Sequence, residues 1–128
     1  TTVGAKTLTA TYAGNANYVG GASAGVAHTV NQAATTTSIA SFTPLTADTL
    51  TSVTINWSVL PVPPGAGTPT GTVVVTTDGA ETCSAAVAVG SCSLTFASSG
   101  ARLVTVSYPG DTQFLPSATA ATPYTVNP

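Results

Sequence analysis

The sequence predicts an all-β protein: a seven-stranded antiparallel sandwich preceded by the last two strands of another, similar unit. Three observations point there. Short runs rich in Val, Ile and Thr alternate apolar with hydroxyl side chains; turn sequences such as Asp78-Gly79, Ser99-Gly100 and Pro109-Gly110-Asp111 separate them; and residues 100–128 repeat residues 4–32. Aligned without a gap, GAKTLTATYAGNANYVGGASAGVAHTVNQ and GARLVTVSYPGDTQFLPSATAATPYTVNP share about a third of their residues, and most other pairs are mild exchanges, among them Lys6 with Arg102, Asn15 with Asp111 and Tyr18 with Phe114. Self-similarity of this kind marks a tandem array.

In chain order, Leu8, Ala10 and Tyr12 alternate with threonines, the turn-rich AGNANYVGG follows, and Val26, His28 and Val30 alternate again. Two strands are expected here, with an apolar face that an isolated hairpin cannot cover. Residues 1–31 therefore read as the C-terminal hairpin of a preceding repeat, and residues 32–128 as one complete repeat. In the latter, strands are expected near 35–41, 52–59, 71–77, 82–87, 91–96, 101–108 and 118–126, with no helix. Alternation nominates a core of Val53, Ile55, Trp57, Val59, Val73, Val75, Leu94, Phe96, Val104, Val106 and Tyr108, with Asn56 and Ser58 facing outward.

The composition narrows function. The chain has 128 residues, of which 43% are apolar and only 5% charged, against about 25% charged in an average protein. A net charge of −2 offers no basic stripe for phosphates, so no nucleic-acid partner is expected. No apolar run approaches the roughly 18 residues that span a bilayer. Membrane insertion by this stretch is therefore not expected, and any signal peptide belongs to a longer parent chain.

Cys83 and Cys92 lie in ETCSAAVAVGSC, which alternates like two short strands. A cross-strand disulfide is the natural reading, with a pair of buried thiols as the rival and no third or fourth ligand nearby for a metal. A bridge favours an oxidising compartment, and closing so short a loop stabilises by about 2–3 kcal/mol on the chain-entropy account. The segment LPVPPGAGTPTG, with Pro61, Pro63, Pro64, Gly65, Gly67 and Pro69, resists regular pairing and reads as an exposed connector or as a candidate recognition loop.

The run PTGTVVVTTDG followed by ETCSAAVAVGSCSLTFASSGARLVTVSYPGDTQFLPS resembles the bacterial immunoglobulin-like repeat domains of secreted and surface-attached proteins. Their Y-x-G-[DN]-x-x-[FY] corner is present twice, as Tyr12, Gly14, Asn15 and Tyr18, and as Tyr108, Gly110, Asp111 and Phe114. The resemblance implies a tandem sandwich serving as spacer, stalk or adhesive array at the cell exterior, and it implies no catalytic residues.

The residues agree with a non-enzymatic role. One histidine and four carboxylates make a sparse catalytic inventory, and His28 aligns with Tyr124, which favours packing over base catalysis. Asp48, Asp78, Glu81 and Asp111 are too dispersed for a calcium loop, so no metal or cofactor is expected. Asn56-Trp57-Ser58 matches the N-glycosylation pattern inside an expected central strand, where the match reads as fortuitous. The shared tyrosine is expected to pack in the core with its hydroxyl on backbone at the strand corner. With Lys6 and Arg102 the only basic side chains, strand edges lack their usual protection. The expected partners are neighbouring repeats or identical chains, and in an adhesive role a cell-surface glycan or protein.

Overall fold

A computed structural model describes residues 1–128 as two compact units, Thr1–Gln32 and Ala33–Pro128. The first contains β1 (Gly4–Leu8), β2 (Thr11–Tyr12), β3 (Gly21–Ala22) and β4 (Val26–Val30). β1 pairs antiparallel with β4 and β2 with β3, which makes one long interrupted hairpin.

The second unit contains β5 (Thr35–Thr43), β6 (Thr46–Asp48), β7 (Ser52–Pro61), β8 (Thr72–Thr77), β9 (Thr82–Ala86), β10 (Ser91–Thr95), β11 (Gly100–Tyr108), β12 (Ser117–Ala118) and β13 (Thr122–Asn127). One sheet has the order β10-β7-β5. The other has the order β6-β13-β11-β8-β9, with β12 also paired to β11. Both sheets turn one face inward, because side chains alternate across a strand. On β7 the alternation is unbroken: Val53, Ile55, Trp57 and Val59 are buried while Thr54, Asn56 and Ser58 point away from the core.

Every core residue read from alternation is buried, and the structure adds Ala47, Phe114, Tyr124 and Val126. Several boundaries differ from expectation, each for a physical reason. β5 continues to Thr43 because a bulge between Ile39 and Ser41 restores its register on β7. The short strand Thr46–Asp48, unforeseen from its sequence, pairs parallel with the end of β13. The single strand expected over 118–126 is two, β12 and β13, both on β11.

The largest departure follows β9. A strand was expected to reach residue 87 and no helix to occur, yet Val87–Val89 form one 3-10 turn closed by Gly90 in a left-handed conformation, φ 75°. The alternation of AVAVG imitates a strand. Here, however, the chain leaves the sheet containing β9 and enters the sheet containing β10, and a crossover cannot remain in a ladder. Its backbone groups are satisfied outside strand pairing: Val87 N–H donates to Gly71 and Trp57 N–H to Gly90, both at 2.9 Å.

Candidate functional site

The repeated stretch folds twice into the same local structure. In the second unit, Gly100, Ala101, Arg102, Leu103 and Val104 pair with Val126, Thr125, Tyr124, Pro123 and Thr122, and Ser107 and Tyr108 pair with Ala118 and Ser117. Shifted by 96 residues, these are the pairs of the first unit, from Gly4↔Val30 to Tyr12↔Gly21. Gly14 and Gly110 hold φ 83° and 84°, a region that costs a side chain dearly. A Cβ on Gly110 would lie 2.7 Å from the Phe114 carbonyl oxygen, and one on Gly14 2.8 Å from that of Tyr18.

The corner that follows is built by one side-chain oxygen. Asp111 Oδ1 accepts the N–H of Gln113 at 2.7 Å and of Phe114 at 2.9 Å; Asn15 Oδ1 accepts those of Asn17 and Tyr18, both at 2.9 Å. A carboxylate and a carboxamide serve equally there, since either supplies an acceptor. The second oxygen separates them. Asp111 Oδ2 accepts the Thr70 N–H and hydroxyl at 2.9 and 2.8 Å. The Gln113 N–H above all, then Thr70 and the Phe114 N–H, hold the Asp111 carboxyl well below the ordinary carboxylate range against the opposing effect of desolvation.

Tyr108 fills the core under this corner, but its hydroxyl departs from expectation. It is buried beside Asp111 without a partner in hydrogen-bond geometry, and burial followed by the Asp111 charge pushes its ionisation up. The tyrosine that grips backbone is Tyr124, whose hydroxyl donates to the Pro44 carbonyl at 2.9 Å while its ring lies 5.5 Å from Phe96 and 5.0 Å from Phe42. His28, its counterpart in the first unit, is exposed rather than packed.

Arg102 gathers the remaining charge. Its guanidinium meets Asp78 at 3.0 Å and Glu81 at 3.3 Å, donates to Ser98 at 2.9 Å, and sits 5.7 Å from the Phe96 ring centre. Glu81 is held below its usual range by its own backbone N–H, then by the Thr77 hydroxyl and the Ala97 N–H, with the Arg102 charge adding to them. Asp78, read as a turn residue, is thus also an ion-pair partner. Asp48 lies beside the Asn127 carboxamide, 3.4 Å away.

Cys83 and Cys92 form a disulfide with Cα atoms 6.0 Å apart. It is not a bridge between paired strands. Cys83 on β9 lies opposite Val75 of β8, and Cys92 on β10 lies opposite Ile55 of β7, so the bond staples the edges of the two sheets. Along the proline-rich stretch, Pro61 completes β7 rather than belonging to the loop, and Pro69 is buried. Pro63 and Pro64 are exposed and joined by a cis peptide bond. The Gly65 N–H closes a turn on Val62 at 2.9 Å, and a Cβ on Gly65 or Gly67 would meet Ala33 or the Phe114 ring. No three His, Cys, Asp or Glu side chains converge, and no helix is long and apolar enough to cross a membrane.

Two facing sheets around one apolar core, with a hydroxyl-rich exterior and charges spent on turns and a single ion-pair cluster, define an immunoglobulin-like β-sandwich module. The family model for the bacterial Ig-like domain (group 3) matches residues 35–127, and the chain belongs to that family. Neither curated proteins nor solved structures gave a match. Membership points to a structural or adhesive module.

Proposed function

We propose that this chain is a non-enzymatic, seven-stranded immunoglobulin-like repeat that spaces or stiffens an extracellular bacterial protein, with residues 1–31 forming the last two strands of a preceding repeat in tandem. The observation that carries this reading is the coincidence of the two hairpins, pair for pair, across a shift of 96 residues. A hairpin that reproduces the register of a complete sandwich, including its corner, has the geometry of a repeat end. The disulfide favours an oxidising exterior. The best-placed acids are engaged in fixed contacts: Asp78 and Glu81 with Arg102, and Asp111 with Thr70. A spacer role requires stability and a short junction, and only Asn31 and Gln32 lie between Val30, which ends β4, and Ala33. Small-angle scattering of a chain spanning two full repeats tests it: an extended pair supports the spacer, and a pair folded side by side overturns it.

A self-assembling filament is favoured by a separate observation. β9 (TCSAA) and β10 (SCSLT), which end their respective sheets, carry no charged side chain, although such edges invite pairing with another chain. Electron microscopy decides this reading, since a chain that stays monomeric at high concentration forms no filament. An adhesive role would rest on Pro63, Pro64 and their neighbours as the exposed loop, and glycan binding that survives deletion of the loop would refute it.

A further inference from the structure

The first and last segments of the sandwich run side by side in the same direction. At one end Ala33 bridges Phe114 in parallel; its N–H donates to the Gln113 carbonyl at 2.9 Å, and its carbonyl accepts the Leu115 N–H at 2.8 Å. Just beyond, the Thr35 hydroxyl donates to the Leu115 carbonyl at 2.8 Å, and the Ser117 hydroxyl lies 2.7 Å from the hydroxyls of both Thr35 and Thr37. At the other end β6 pairs parallel with β13, from Thr46↔Thr125 to Asp48↔Asn127. There the Tyr124 hydroxyl donates to the Pro44 carbonyl at 2.9 Å, and the Thr49 N–H to the Asn127 carbonyl at 3.2 Å. The other strand pairs of the sandwich are antiparallel.

This arrangement fixes how tension crosses the sandwich. The chain enters at Ala33, beside Phe114, and its last strand ends at Asn127, beside Asp48. These points lie at opposite ends: β11 separates the Tyr108–Ser117 level from the Gly100–Val126 level by eight residue steps, about 26 Å at 3.3 Å per step. Tension between them therefore draws two parallel segments past each other along their own axes. Hydrogen bonds between strands run across the strand direction, so those of one patch are strained together rather than parted one after another.

We infer that the paired first and last segments form a shear clamp. One patch joins Ala33, Thr35 and Thr37 to residues 113–117, the other joins residues 44–49 to residues 124–127, and together they set the rate at which the unit opens under load. Core strands such as β8 belong to neither patch, so opening under load is governed separately from the stability of the core. Spacing an extracellular protein supplies the tension, so the clamp rests on the spacer reading and deepens it. The disulfide stands off this route: Cys83 and Cys92 enclose a sequence separation of 9 between β9 and β10. It withholds about 30 Å of chain when the unit extends, at roughly 3.3–3.6 Å per residue.

The full chain, held by handles at its two termini and pulled at constant force, tests the clamp. Opening of residues 33–128 is recognised by its length, because reductant should lengthen that step by about 30 Å. Thr49→Pro deletes the N–H that meets Asn127, and Ser117→Ala the hydroxyl shared by Thr35 and Thr37. Thr49 is the second residue of a turn closed by the Thr51 N–H on the Asp48 carbonyl, with Leu50 third at φ 63°, a geometry that accepts proline at the second position. Each variant is expected to open about fivefold faster than the wild type at the same force, the equivalent of one hydrogen bond. Val75→Ala, at a fully buried site on β8 between β9 and β11, is expected to lower the denaturation midpoint more than either, yet to change the opening rate less than about twofold. Wild-type opening rates in both Thr49→Pro and Ser117→Ala, or a larger acceleration from Val75→Ala, overturn the clamp and leave the spacer reading intact. A folded-over pair in the scattering experiment, with both clamp variants accelerated, overturns the load-bearing role and places the failure in the spacer reading.

Discussion

Asp111 holds Thr70 twice, accepting its backbone N–H at 2.9 Å and its hydroxyl at 2.8 Å through the same carboxylate oxygen. The other oxygen closes the corner on Gln113 and Phe114. One side chain therefore both shapes the hairpin end and attaches it to the residues leading into β8.

This arrangement sets a pH dependence. The Asp111 carboxyl is depressed in the fold, so its contribution is fully present above the ordinary carboxylate range, near pH 4, and is lost as pH falls through the folded value. Thermal unfolding between pH 2 and 7 should show stability declining below about pH 4, with the decline shallower in Asp111→Asn. At pH 7 that variant should melt below the wild type, because its amide meets the Thr70 N–H with a donor. An unchanged acid limb would remove Asp111 from the account.

The glycine at the same corner offers a conformational test. Gly110→Ala places a Cβ at φ 84° and against the Phe114 carbonyl, and should destabilise the sandwich by about 1–3 kcal/mol. Chemical denaturation reads this directly, and a neutral result would mean that the corner relaxes.

Reduction probes the staple between sheets. Since Cys83 and Cys92 join β9 to β10 across the sandwich edge, replacing both with Ala should cost about 2–3 kcal/mol. The wild type in reductant should fall to the same melting temperature. A wild type unaffected by reductant would show that the edge holds without the bond.

Tyr124→Phe removes a single hydrogen bond, to Pro44, and leaves the stacked ring in place. The expected loss is about 1 kcal/mol, measurable by denaturant titration. A loss several times larger would mean that the phenol also orders the chain between β5 and β6.

Paired truncations separate the two hairpins. Val104→Ala opens a cavity at a fully buried site and should destabilise residues 33–128 by about 2 kcal/mol. Leu8→Ala, at the aligned exposed site, should leave the same transition within about 0.5 kcal/mol. Equal effects would mean that Leu8 also supports the fold of residues 33–128.

Legibility followed the range of the interaction. Strand cores such as Val53, Ile55 and Trp57 are visible because burial of one sheet face imposes a period of two on neighbouring residues. The corners are visible because a positive φ demands glycine and a nearby oxygen, and the chain carries that requirement twice. Thr46–Asp48 carries no such signature, as a three-residue strand takes its identity from the partner that pairs with it. The 3-10 turn at Val87 hides in an alternating sequence for a related reason: only the position of the two sheets shows that the chain must cross between them.

By itself the sequence determined the fold class, the duplicated hairpin and its register-setting glycines, and the cysteines that meet, all consequences of local periodicity, turn chemistry and internal repetition. Tertiary structure alone decided that the disulfide joins different sheets and that Tyr124, rather than Tyr108, anchors to backbone. It also decided that Asp111 faces Thr70. These depend on contacts between residues some 10 to 80 positions apart, where the identity of a side chain says what it can bond and only packing says which group stands opposite.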